Sequence, residues 1–93
     1  MIFNLVIIKK VDKTNYMQEK IQELIIMVLQ HSNRYQPNIE FSALSRLRED
    51  LGLDSFNLAE LTVHIEEEFG VDIFEEGLVI TLGEIYSKLS SSH

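Results

Sequence analysis

Apolar residues at helical spacing constrain the fold of this chain more than any other feature. From residue 17 to 29 they recur every three or four positions, at Met17, Ile21, Leu24, Ile25, Val28 and Leu29. The same spacing returns at Leu58, Leu61, Ile65 and Phe69, and again at Ile85 and Leu89. This period is typical of amphipathic helices that bury one face. The sequence therefore predicts an all-α fold, a small bundle of three main helices plus one short helix.

Capping and breaking residues predict where these helices begin and end. The first is expected to be capped by Asn15, with Gln18 three residues on, and to end near His31. The second is expected to begin at about Ser55 and to end at Gly70. A long connection over residues 32–54 joins them. The predicted short helix falls in residues 75–79, which have room for about one turn.

The 93 residues are enough for one small domain. We expect residues 17–90 to form it, residues 1–16 to be an appendage outside the core, and residues 91–93 to be a frayed tail. The apolar run at residues 1–8 is much shorter than the roughly 20 residues of a membrane-spanning helix. It also lacks the basic leader and cleavage site of a secretory signal. With no cysteine in the chain, these features predict a cytoplasmic protein, monomeric and not inserted in a membrane.

The charge of the chain is strongly acidic in one region. Fifteen acidic residues against eight basic ones give a net charge of −7, which opposes binding to nucleic acid or to an anionic membrane. Between Glu49 and Glu76 there are ten acidic residues and no lysine or arginine. A solvated helix face would explain such a run. Its position beside a serine at the start of the second helix instead favours a recognition surface for basic partners. We expect no cation to lie near the acidic side chains of this surface.

That serine lies in the segment Leu51–Phe56, where Asp54 and Ser55 stand next to each other at the predicted helix start. The first turn of a helix offers free N–H groups and positive dipole potential, which stabilise a phosphodiester attached there. The simpler interpretation is that Asp54 or Ser55 only caps the helix, a contribution of about 1 kcal/mol.

A catalytic role for Ser55 is improbable from the sequence. The nearest histidine along the chain is His64, and nine helical residues place the two side chains on opposite sides and roughly 13 Å apart. Such a pair cannot act as nucleophile and base. His31 and His93 lie outside the segment Leu51–Phe56. The sequence also contains no set of residues at the spacing of a metal-binding loop. We therefore expect neither an enzyme nor a metal site.

The motif extends well beyond two residues. It includes residues 47–55, the pair Glu60 and Leu61, and residues 65–69 and 71–73. This set, spread over residues 17–90, resembles the acyl carrier protein family. The resemblance implies that a 4′-phosphopantetheine arm from coenzyme A is attached to Ser55 and carries acyl intermediates as thioesters.

The resemblance also implies partners and a surface that binds them. The partners are a phosphopantetheinyl transferase and acyl-transferring or synthase enzymes with basic surfaces. The acidic residues that resemble the partner-binding ones are Asp54, Glu60, Glu66 and Glu67. Phe56 and Val63 resemble apolar contacts on the same face.

Four departures from the family pattern leave alternatives open, and one of them is a shortened third-helix region. Phe56 replaces the usual leucine after the serine, Asn57 replaces a frequent acid, and Phe74 stands where proline is common. An Asp-Ser-Phe signature also occurs in D-alanyl carrier proteins, so an aminoacyl carrier is one alternative. Besides fatty-acid and other lipid synthesis, a carrier dedicated to secondary-metabolite or surface-lipid synthesis is open. An unmodified helical interaction module is an alternative from a different class.

Overall fold

Three helices account for the regular structure of residues 13–91. A computed structural model describes residues 13–91. The helices are α1 (Lys13–His31), α2 (Ser55–Phe69) and α3 (Leu82–Ser91). Within the described residues there is no strand, only an isolated antiparallel bridge between Arg46 and Thr81. The predicted all-α class and its three main helices are confirmed.

Most of the core is formed by apolar residues on the helices, and the segments between the helices add Leu47, Leu51, Leu53, Ile73 and Val79. Leu58 and Phe69, which share the predicted period, are only partly buried against it. The three helices supply Met17, Ile21, Leu24, Ile25, Val28, Leu29, Leu61, Ile65, Leu82, Ile85 and Leu89 to it. Helix α1 contacts both α2 and α3. Burial of these side chains removes apolar surface from water. Each Å² of buried apolar surface stabilises the fold by about 25 cal/mol, and this is the main stabilising contribution. None of the helices in residues 13–91 combines the length and the apolar character needed to cross a membrane.

The long connection between α1 and α2 is fixed to the start of α3. Leu47 donates its amide to the carbonyl of Ile80 (2.8 Å), and the carbonyl of Ser45 accepts from Leu82 (2.9 Å). Gly83 lies against the backbone of this connection, where a Cβ atom would come within 2.8 Å of the carbonyl oxygen of Ala43. Only glycine fits there without displacing the chain. The connection is therefore an ordered part of the fold, and it leads directly into the start of α2.

The structure differs from the predicted elements in two places. Helix α1 begins at Lys13, two residues before Asn15, which the sequence offers as its N-cap. The short helix expected over residues 75–79 is absent from the described chain, where residues 73–76 form a turn. The side chain of Asp72 accepts from the amide of Phe74 (3.0 Å), and Gly77 has a φ of 126° that a helix does not tolerate. Residues 1–12 of the predicted appendage, and residues 92 and 93 of the predicted tail, lie outside the described residues.

Candidate functional site

Ser55 is the first residue of α2, and its side chain is exposed. The chain reaches it through Gly52, which has a φ of 82°, and then through the buried side chain of Leu53. The amide of Leu58 makes the first intrahelical bond, to the carbonyl of Asp54 at 2.9 Å. The earlier amides of Ser55 and Phe56 therefore have no partner within the helix. A serine hydroxyl open to solvent thus stands beside helix amides that favour an anion.

Asp54 is the N-cap of α2. Its carboxylate accepts from the amide of Asn57 at 2.8 Å, and the side-chain oxygen of Asn57 accepts from the amide of Asp54 at 3.1 Å. This reciprocal arrangement is a capping box. It fixes the direction in which the chain enters the helix, and hence the position of Ser55 one residue later.

Asn57 ties this cap to the first helix and is a residue whose role sequence reasoning missed. It is only 3% exposed. Its amide nitrogen donates to the carbonyl of Val28 (3.4 Å) and to the hydroxyl of Ser32 (3.0 Å). In the family pattern, Asn57 stands out only as the loss of a frequent acid. The Asp-x-x-Asn spacing from Asp54 was the available signal, because a polar side chain at the third helical position completes a capping box.

Two arginines from outside α2 also reach the site, and the sequence analysis named neither. Arg48 donates from Nη1 to Ser55 Oγ at 3.2 Å. Arg34 donates from Nε to the carbonyl of Gly52 at 3.0 Å, and its Nη1 lies 3.9 Å from a carboxylate oxygen of Asp54. Both residues precede the run from Glu49 to Glu76, which contains no lysine or arginine. Counting the charges along the sequence therefore could not place the two arginines near Ser55.

The predicted partner-binding residues lie mostly in one line along α2. Phe56, Glu60, Val63 and Glu67 are spaced by four, three and four residues, which puts them on one face of a helix. We call these four residues the α2 strip. Phe56 is 82% exposed and Val63 is 53% exposed. Glu66 is also exposed but lies to one side of the strip, on the flank that Ser55 occupies.

Two histidines lie against the carboxylates of this acidic surface, and each carries a positive charge only when it is protonated. His31, at the end of α1, places Nδ1 2.6 Å from Glu60 Oε2. His64 lies 3.5 Å from Glu60 Oε2 and 3.6 Å from Glu67 Oε1. The contact of His31 was not evident from the sequence because His31 and Glu60 are 29 residues apart. The spacing of His64 from Glu60 and Glu67, four and three residues on one helix, was an available signal.

The histidines also affect the titration of Glu60. The hydrogen bond from His31, together with the nearby charge of His31 and His64, holds the pKa of Glu60 below its ordinary value. A lowered folded pKa contributes stability at pH values above the ordinary glutamate pKa. That stability is lost as the pH falls through the lower folded pKa.

The described residues do not assemble a hydrolytic or metal centre. The hydroxyl of Ser55 is bonded to Arg48, whereas His31 and His64 are both engaged with Glu60. No cluster of histidine, aspartate and glutamate able to hold a metal ion occurs in residues 13–91. A groove of about 350 Å³ runs beside the helix start, lined by His31, Ser32, Asp54, Phe56, Asn57 and Glu60. The arrangement is suited to a group attached at Ser55 and presented to another protein.

Comparisons with known proteins agree with this geometry. Residues 19–86 match the family model described as "Phosphopantetheine attachment site". The chain is 32% identical to the mitochondrial acyl carrier protein of Saccharomyces cerevisiae over 73 residues, which cover 75% of this chain and 58% of that protein. It is 40% identical to an acyl carrier protein of Rickettsia bellii strain RML369-C over 58 residues, covering 62% of this chain and 66% of the relative. A second R. bellii acyl carrier protein, from strain OSU 85-389, is 36% identical over 58 residues, covering 62% of this chain and 70% of the relative.

The matched region contains the whole of α2, the connection before it, most of α1 and the first half of α3. The chain spans somewhat less than two thirds of the length of the first two of these relatives. Family membership confirms two predictions made from the sequence, that the cofactor is a covalently attached 4′-phosphopantetheine and that the protein is not an enzyme. The chain belongs to the acyl carrier protein family.

Proposed function

We propose that Ser55 is the attachment point of the phosphopantetheine arm, and that the chain presents acyl groups, held as thioesters on this arm, to partner enzymes. The observation that carries the proposal is the exposed hydroxyl of Ser55 on the first residue of α2, inside the region that matches the phosphopantetheine family. The cap made by Asp54 and Asn57 supports it, because this cap holds the helix start without using the serine hydroxyl.

The residues around Ser55 fit such a group. A phosphodiester on Oγ carries one negative charge, and the first-turn amides of α2 and the guanidinium of Arg48 are the groups that would face it. The group itself supplies a flexible arm with a terminal thiol, where the acyl chain is held. The chain's own residues position the root of that arm at the exposed end of the bundle.

The α2 strip is the surface proposed to meet partner enzymes. It pairs two apolar side chains, Phe56 and Val63, with two carboxylates, Glu60 and Glu67, and it begins one residue after Ser55. Apolar anchors among charges are typical of transient interfaces, where the charges speed association and the anchors hold the complex. The proposed partners are a phosphopantetheinyl transferase and acyl-transferring or synthase enzymes with basic surfaces.

Reversing the charge of Glu67 is expected to slow arm transfer to the protein. Its side chain is 70% exposed, so Glu67→Lys should leave the bundle intact and lower the transfer rate about tenfold at low salt by weakening association. Glu60→Lys should slow transfer as well, but it also removes the acceptor of His31 and should lower stability. The measurement is the initial rate of modification at low and at physiological salt.

A matched control is Glu19→Lys, which makes the same charge change at an exposed position of α1. It should be modified at nearly the wild-type rate. If Glu67→Lys and Glu19→Lys behave alike at low salt, the α2 strip is only a solvated face and not a recognition surface.

The aminoacyl alternative has one observation in its favour. Phe56 gives the chain the Asp-Ser-Phe signature shared with D-alanyl carriers, and its ring is exposed beside Ser55. The relatives named above are acyl carrier proteins, so an acyl cargo is the function we propose. Loading assays on the phosphopantetheinylated protein, with acyl and with D-alanyl donors, distinguish the two cargoes.

Intact mass after incubation with coenzyme A and a phosphopantetheinyl transferase tests the attachment of the arm. We expect the mass of one phosphopantetheine group to be added, and only when the transferase is active. An unchanged mass with a transferase that modifies another carrier in the same reaction would favour the unmodified interaction module instead.

We further propose that residues 17–90 form the functional unit, that it acts as a monomer, and that it works in the cytoplasm.

A further inference from the structure

The guanidinium of Arg48 has a different environment from those of the two other arginines near the start of α2. Arg46 is bonded to Asp50 through Nε and Nη2, each at 3.1 Å. Arg34 lies 3.9 Å from the carboxylate of Asp54. Arg48 has no carboxylate partner within residues 13–91, and the hydrogen bond recorded for its side chain is the one to Ser55 Oγ. Its charge is therefore not neutralised by an ion pair within the described part of the chain.

A positive charge is unexpected at this place. Arg48 is followed directly by Glu49 and Asp50, and Asp54 and Glu60 lie on the segments beside it. A charged side chain on such a surface ordinarily pairs with a carboxylate, as Arg46 does with Asp50. Arg48 instead contacts a neutral hydroxyl, the one to which this family attaches a phosphodiester.

From this contact we propose that Arg48 is a positioning residue that binds the phosphodiester at the root of the arm. The inference rests on the proposed attachment at Ser55. A phosphodiester on Oγ places two non-bridging oxygens, which share one negative charge, beside the atom that Arg48 already contacts. A planar guanidinium binds such a pair of oxygens through two parallel N–H donors. Arg48 would then restrain the root of the arm and neutralise its charge beside an acidic helix.

The test compares how modification changes the stability of matched variants. Four proteins are prepared without and with the arm: wild type, Arg48→Gln, Arg48→Lys and Arg46→Gln. Complete modification is verified by mass, and the Tm of each form is measured. Arg46→Gln is the control because it removes a guanidinium from the same turn without touching Ser55. We expect modification to raise Tm more, or to lower it less, in wild type and Arg46→Gln than in Arg48→Gln. The difference should be about 3 °C. Arg48→Lys should fall in between, because an ammonium keeps the charge but loses the fork.

A second measurement needs no variant and covers the case in which Arg48→Gln is modified poorly. In the wild-type protein, the Nε–H resonance of Arg48 should shift on modification while that of Arg46 stays in place. Arg48 does not bind the arm if Arg48→Gln lowers Tm, relative to wild type, by the same amount without and with the arm. The same conclusion follows if the Arg48 resonance does not move on modification. Absence of any mass gain in wild type would instead contradict attachment itself, so the two failures are distinguishable.

Discussion

Replacing Ser55 with alanine is expected to abolish attachment of the phosphopantetheine arm while leaving the protein folded. The hydroxyl is the acceptor to which the arm would be joined, so its removal should reduce the mass gain from complete to none. Stability should change by less than about 0.5 kcal/mol, because Ser55 is exposed and the cap of α2 is made by Asp54. Intact mass and thermal unfolding of the same sample measure both effects.

Ser87→Ala is the matched control for this substitution. Ser87 is also an exposed serine on a helix, but it lies in α3, away from any helix start. Ser87→Ala should gain the full mass. If Ser55→Ala gains the arm at the wild-type rate, another residue is the acceptor and the assignment of Ser55 is incorrect.

Replacing Asn57 with alanine should cause a large loss of stability even though the residue belongs to no catalytic site. The substitution removes the acceptor for the amide of Asp54 and the donor to Val28 and Ser32. Loss of a cap and of two bonds to a largely buried side chain predicts a decrease of about 2 to 3 kcal/mol in the free energy of unfolding. For a domain of this size that is a fall in Tm on the order of 10 °C. Denaturant titration monitored by circular dichroism measures it.

An exposed polar residue on the same helix provides the comparison for Asn57. Glu66→Ala changes a side chain that points to water, so its effect should stay within about 0.5 kcal/mol. A loss of less than about 1 kcal/mol in Asn57→Ala would show that the capping box contributes little and that α2 is held mainly by its apolar face.

The parts of this fold that depend on local pattern could be predicted from the sequence. The apolar residues of α1 and α2 recur at helical spacing because burial of one face determines the period. The structure buries the six predicted in α1 and two of the four predicted in α2, while Leu58 and Phe69 are partly buried. The start of α2 at Ser55 and its end before Gly70 also follow from local signals. Gly70 adopts the left-handed conformation, with a φ of 73°, in which a helix commonly ends.

Contacts between distant parts of the chain could not be predicted. Arg48 reaches Ser55 only because the connection folds back between Leu47 and Leu53, whose backbone groups bond at 3.0 Å. His31 meets Glu60 only because α1 and α2 pack side by side. A list of charges along the sequence contains no information about such pairs, so the acidic surface was expected to lack cations. The turn after Ile73 was missed for a related reason, since five residues are too few for a period to distinguish a turn from a short helix.

The central claim is that the arm is attached to Ser55, and locating the modified residue tests it most directly. Wild-type protein is modified with coenzyme A and a phosphopantetheinyl transferase, digested, and sequenced by tandem mass spectrometry. We predict that the added group is found on the peptide containing Asp54-Ser55-Phe56, with fragment ions assigning it to Ser55. Assignment of the group to another serine, such as Ser42 or Ser87, would contradict the claim.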